Sequence, residues 1–219
     1  MVSGEAHWDQ IHATKTHDSV SWFQNPPRES LRLVLKHSTP SASVVDVGAG
    51  QSLLVDQLLD LGYVDIAILD VSTVALDAVK RRLKTGESRV AMFAADVTTW
   101  SPARTFHVWH DRAVFHFLTS AESQRAYVDS VARVVEPNGV IIIGAFGPDG
   151  PTSCSGLPVQ RHSVESLRAM FAPIAELVDS SVETHVTPSG AEQDFVWTVF
   201  RRAKQSHANA SHSIPITDH

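Results

Sequence analysis

Val44-Val45-Asp46-Val47-Gly48-Ala49-Gly50 is the stretch that decides the fold of this chain. An apolar run of strand length ends on two glycines, and a helical pattern opens just beyond them. Glycine lets the backbone turn tightly and approach a ligand closely, so the stretch reads as a strand–turn–helix unit with a binding site at the turn. Working outward, two periods alternate. Short β-branched runs occur at Ser43–Val47, Ile66–Leu69, Val90–Phe93, Phe106–Trp109 and Val140–Phe146. Helical patterns at Ser52–Leu61, Thr73–Leu83 and Ala121–Val135 separate them, the last closed by Pro137-Asn138-Gly139. Arg28 to His37 reads as a further helix behind the Asn25-Pro26-Pro27 break. This alternation predicts an α/β fold, a parallel sheet covered by helices on both faces. After Phe146 come a turn-rich loop running to Pro158, a helix at Val164–Phe171, a strand around Ala175–Val182 and a final strand at Phe195–Phe200.

Composition narrows the partners. The chain has 219 residues, 43% of them hydrophobic, enough for one compact domain. Its net charge of −6, from 24 acidic and 18 basic side chains, disfavours nucleic acid. The single cysteine, Cys154, excludes an internal disulfide and fits a reducing compartment. No stretch reads as a signal peptide or a membrane span, so a cytoplasmic location is expected. Residues 1–25 fall outside the βα pattern, residues 26–202 form the domain, and the polar segment 203–219 is expected to be a disordered tail whose histidines bind no metal.

Asp70 ends the second strand, 20 residues beyond Gly50, where a ribose would be held. Leu53 stands where a nicotinamide site would place a third glycine, and no GxxxxGK[ST] pattern is present. A cofactor without a pyrophosphate fits better. On these residues the chain, over roughly 40–200, resembles the class I S-adenosylmethionine-dependent methyltransferases. The resemblance implies a Rossmann-like, seven-stranded, mostly parallel sheet whose last strand is antiparallel. It implies that Asp46, Gly48 and Gly50 match the hhDxGxG motif around the methionine part, that Asp70 grips the ribose, and that Asp96, within Ala95-Asp96-Val97, meets the adenine amino group. Ser52, Val71, Val97 and His110 complete the expected cofactor contacts.

The fourth strand should deliver residues beside the reacting methyl. Trp109-His110-Asp111-Arg112 lies there and resembles the Trp-Asp-Arg-Gly stretch of thiopurine methyltransferases and the Asp-Lys-Gly version of small lysine methyltransferases. Here His110 is inserted and Ala113 replaces the glycine. His7-Trp8-Asp9 and Ser21-Trp22-Phe23 are similar to the lid segments of that group. Methyl transfer to a hydroxyl needs alignment and a base, which makes His110 and His116 candidates, with Asp111 able to orient an imidazole or Arg112, and Arg112 a further catalytic candidate. Trp8, Trp22, Phe23 and Arg112 are the expected substrate contacts. Cys154 has no evident base beside it and is not expected to act as a nucleophile; no metal site is expected. The expected activity is O-methylation of a small molecule, a carbohydrate hydroxyl being one candidate. Protein-lysine N-methylation and thiol S-methylation are the alternatives.

Overall fold

The structure, a computed structural model, describes residues 4–83 and 90–204. Nearly all of the expected tail therefore lies outside the described residues. In chain order the elements are α1 (Glu5–Thr14), α2 (Arg28–His37), β1 (Val44–Val47), α3 (Leu54–Asp60), β2 (Ile66–Asp70), α4 (Thr73–Leu83), β3 (Val90–Ala94) and β4 (Phe106–Arg112). A 3-10 turn at Phe115–Phe117 follows, then α5 (Ala121–Val134), β5 (Val135–Phe146), β6 (Ser153–Cys154), β7 (Leu157–Pro158), α6 (Val164–Phe171), β8 (Ala175–Val186) and β9 (Glu192–Arg202).

Seven strands form one sheet in the order β3-β2-β1-β4-β5-β9-β8. All neighbours are parallel except that β9 runs antiparallel to both β5 and β8. The order reverses between β1 and β4, which is where α/β sheets open a crevice at the carboxyl ends of their strands. One face of the sheet packs Val44, Val108 and Ile142 against α2, α3 and α4 through Leu33, Val34, Leu54, Leu58 and Val79. The other packs Val45, Trp109 and Ile143 against α5 and α6 through Tyr127, Val131, Leu167 and Phe171. No helix among the described residues is long and apolar enough to cross a membrane.

Three of the differences from the sequence reading bear on the site. The N-terminal segment, to which the sequence reading assigns no element, contains α1. β5 starts at Val135, so Pro137-Asn138-Gly139 sits in its irregular opening and does not close α5. Glycine is required there, because a Cβ on Gly139 would come within 2.8 Å of the His107 and Glu136 carbonyl oxygens. Third, β4 does not end at Trp109 but runs on to Arg112, paired through Arg112 with Gly144 of β5. That extension controls the site.

Candidate active site

The turn after β1 is held by backbone geometry that only glycine adopts freely. Gly48 has φ +60° and Gly50 φ +51°, and a Cβ on Gly48 would sit 1.9 Å from the Val114 side chain. The Gly50 N–H donates to Asp70 Oδ2 at 2.7 Å, and the Ser72 N–H donates to Oδ1 at 2.8 Å. The carboxylate thus ties the first turn to the start of α4 while each oxygen keeps a lone pair. Burial raises the Asp70 pKa to about 6. Asp96, after β3, accepts from the Thr98 N–H and hydroxyl through Oδ1; Oδ2 takes no hydrogen bond among the described residues.

Two connected hollows lie above these residues. The first is mostly apolar, lined by Leu69, Val71, Ala95, Val97, Val114 and Phe117, with Asp70 and Asp96 at its floor. The second is mixed, and Gln24, Ser30, Asp46, Ser52 and His110 are its polar lining. His12, Trp22, Gly48 and Arg112 border both. Of the expected contacts, Trp8 reaches the first hollow, Phe23 the second, and Trp22 and Arg112 both.

Because β4 continues through Arg112, its pleat sends alternate side chains to opposite faces. His110 and Arg112 point to the groove side. His110 Nδ1 lies 2.7 Å from Asp46 Oδ1, with the indole of Trp197 beneath the imidazole at 6.0 Å, and Nε2 has no partner among the described residues. Arg112 Nη1 donates to the Trp22 carbonyl at 2.7 Å and its guanidinium lies 4.9 Å over the Phe195 ring. Burial lowers its pKa to about 10.

Asp111 points the other way, which corrects its expected place in the chemistry. It is fully buried, accepts from the Tyr127 hydroxyl, and accepts from the Val114 and Phe115 N–H groups at 2.9 and 3.1 Å. Trp109 Nε1 donates in turn to the Tyr127 oxygen at 2.8 Å. Asp111 therefore anchors the turn that presses Val114 onto Gly48.

His116 is also corrected. It is fully buried and its Nδ1 accepts from the Phe146 N–H at 3.3 Å, which uses the lone pair a base would need. Burial first, then the nearby His162 and Arg112, lower its pKa from 6.5 to about 3. The neutral form is thus favoured in the fold, and stability falls as pH drops below 6.5, where the unfolded state takes up the proton first. At about 1.36 kcal/mol per pKa unit, the loss from this residue reaches roughly 5 kcal/mol near pH 3. His116→Phe, followed by urea unfolding from pH 7 to 4, should show a flatter acid limb than the parent; an identical slope would mean the imidazole is hydrated.

The N-terminal segment spans the groove. Asp9 of α1 accepts from the Ser72 hydroxyl at 2.6 Å and the Val74 N–H at 3.2 Å, at the amino end of α4. Trp8 packs edge-on against Phe117 and Trp22. At the other end His185 Nε2 donates to the Ser21 carbonyl at 2.7 Å, and Gln24 Nε2 to Glu183 at 2.7 Å. Asp9, His12, Gln24, Ser30, Phe117 and Cys154 were not among the sequence-predicted contacts. Trp8 and His12 are four apart, a helical spacing that could have flagged their shared face. Cys154 is set into the groove wall by the β6–β7 hairpin, whose central residues Ser155 and Gly156 both have positive φ. Burial raises its pKa, so its thiol keeps its proton. Among the described residues, no three His, Cys, Asp or Glu side chains cluster to hold a metal.

Residues 44–139 match the family described as a methyltransferase domain. The chain is 24% identical over 139 residues to the eEF1A lysine and N-terminal methyltransferase of Bos taurus, a match covering 63% of this chain and 20% of that protein. It therefore spans about a fifth of that relative's length. In three dimensions it is similar to the Burkholderia thailandensis 1,6-didemethyltoxoflavin-N1-methyltransferase with bound 1,6-didemethyltoxoflavin and S-adenosylhomocysteine. The TM-score is 0.71 at 18% identity, over 91% of this chain and 88% of that one. A structure solved for the conversion of a disulfide bond into a thioacetal group in echinomycin biosynthesis superposes with a TM-score of 0.75 at 19% identity, over 93% of both chains.

S-adenosylmethionine is the cofactor of this family, and the site suits it. Asp70 has lone pairs for two ribose hydroxyls, Asp96 Oδ2 is unengaged for an amino group, and Val71 and Val97 offer apolar walls to a flat base. Asp70→Ala should weaken S-adenosylmethionine binding by roughly 2–3 kcal/mol, since the hydroxyls lose a charged acceptor. Calorimetry on the folded variant checks this; unchanged affinity would reduce Asp70 to a brace between Gly50 and Ser72.

Proposed function

We propose that this class I S-adenosylmethionine-dependent methyltransferase methylates a hydroxyl of a small molecule held between its N-terminal segment and the carboxyl ends of β4 and β5. The observation that carries the reading is the Asp46–His110 pair beside the groove. A carboxylate on Nδ1 favours the tautomer that leaves the Nε2 lone pair free, the arrangement of an oriented general base. The cofactor supplies a methyl group on a sulfonium, open to in-line displacement. The protein's own tasks are to align the acceptor, take its proton and exclude water. His110 takes the proton, Asp46 steadies the resulting imidazolium, and Trp8, Trp22 and Phe117 cover the site. Aromatic faces of this kind also suit the apolar faces of a sugar.

The lysine reading draws support from the eEF1A-directed relative. A lysine substrate would bring an ammonium to the groove, and the wall there carries the Arg112 cation with no carboxylate paired to it among the described residues. Like charge at close range opposes that acceptor. Methyl-labelled S-adenosylmethionine incubated with host extract, then separated into protein and metabolite fractions, decides between the readings. Label in small polar metabolites is expected; label confined to protein would replace this reading with the lysine one.

Residues 1–25 act in this reading as a lid latched by Asp9 on α4. Deleting residues 1–24 should leave a folded core that keeps some cofactor binding and loses most turnover, measured by circular dichroism, calorimetry and methyl transfer. A truncated chain that cannot fold would make the aromatics part of the core instead.

A further inference from the structure

Arg112 is a part-buried cation with no paired anion among the described residues. Its Nη1 is committed to the Trp22 carbonyl, and its guanidinium rests on Phe195. Among the described residues Nε and Nη2 have no hydrogen-bond partner, and they are closed off from bulk solvent. The two nearby acids are engaged elsewhere. Asp46 pairs with His110, while Glu183 accepts from Gln24 Nε2 and from Trp197 Nε1. Burying a charge without an ion pair is costly, so a site that holds one is built for a partner that arrives from outside. The orphaned atoms also specify its shape. Nε–H and Nη2–H are the parallel edge of the guanidinium that grips a carboxylate with two hydrogen bonds. Gln24 Oε1 and Ser30 Oγ, which border the second hollow, are likewise buried and unpartnered among the described residues, and so is His110 Nε2.

We propose that the free Nε/Nη2 edge of Arg112 is a carboxylate fork, and that the carboxylate it takes belongs to the methyl acceptor. The inference rests on the methyltransferase reading above and narrows the substrate class to a small hydroxy compound bearing a carboxylate. Position favours the acceptor as the source over the amino-acid end of the cofactor. The guanidinium lies over β9 and borders the groove with Cys154, beyond β4 from the strands that carry Asp70 and Asp96. Trp22, whose carbonyl fixes the guanidinium, belongs to the segment that roofs the groove, so closing the roof also aims the fork.

The test uses the full chain loaded with S-adenosylhomocysteine and two fragments of equal shape, benzoate and neutral benzamide, titrated by ligand-observed NMR. Benzoate should bind at least tenfold tighter than benzamide. Arg112→Met should abolish that preference, and Arg112→Lys should restore it only in part, because an ammonium lacks the parallel pair of donors. In parallel, S-adenosylhomocysteine is compared with its decarboxylated analogue, S-adenosyl-3-thiopropylamine. Should decarboxylation cost tenfold or more in the parent and nothing in Arg112→Met, with no preference for benzoate, the fork holds the cofactor and the acceptor assignment is overturned. If neither preference is found in the parent protein, the fork itself is overturned, whatever the folding of the variants. Failure of the parent to bind S-adenosylhomocysteine would instead sink the methyltransferase reading, and the two failures are thus distinguishable.

Discussion

Replacing His110 by alanine is expected to lower kcat on a hydroxyl acceptor by about 10²–10⁴-fold, the usual contribution of a positioned general base. The affinity for S-adenosylmethionine should change little. Two controls separate proton transfer from positioning. His110→Gln can still hydrogen-bond to Asp46, as the imidazole does at 2.7 Å, but cannot accept a proton in the working pH range. It should be as inactive as the alanine variant. A thiol acceptor provides the second control, since thiolate is already partly present at pH 8 and needs less help from a base. The same variants should therefore lose far less on a thiol. Full activity of His110→Gln on a hydroxyl substrate would remove His110 from the chemistry and leave it as a packing partner of Trp197.

Asp111→Ala should act on the fold and not on a chemical step, costing roughly 3–5 kcal/mol of stability. The change strands the Val114 and Phe115 N–H groups and the Tyr127 hydroxyl in a site with no access to solvent. For a domain of this size the melting temperature should fall by about 10 °C or more, with a matching loss in urea midpoint. Tyr127→Phe should cost less, because only the Trp109 Nε1–H then loses its acceptor while the two backbone donors keep theirs. Cofactor binding should weaken in step with stability, since Asp111 holds the turn that seats Val114 against Gly48. An Asp111→Ala protein as stable as the parent but inactive would return the residue to the active site.

Local pattern carried most of the architecture. The β-branched runs separated by helical spacings determined the parallel sheet, because strand and helix periods are properties of neighbouring residues. The turn at Gly48 and Gly50, with Asp70 one strand later, located the cofactor end of the groove for the same reason: both lie where one strand hands over to one helix. Helices such as Thr73–Leu83 and Val164–Phe171 were legible to the residue. The length of β4 was not, since His110, Asp111 and Arg112 are polar and carry no strand signal of their own. They become strand residues because Val47 of β1 and Ile142 to Gly144 of β5 flank them and pair with them. Once they are in the strand, the pleat alone separates His110 and Arg112 from Asp111, a distinction no composition could make. Nor could the sequence choose their partners. His110 meets Asp46 across 64 residues, and Arg112 meets the Trp22 carbonyl across 90. Pairings at that range follow from strand order and from the path of the N-terminal segment over the sheet. Sequence alone determined the turn at Gly48 and Gly50 and a crevice at the carboxyl ends of the strands. Tertiary structure decided which polar side chains face it and which of them is left without a partner, because hydrogen-bond satisfaction is settled only when distant segments pack together.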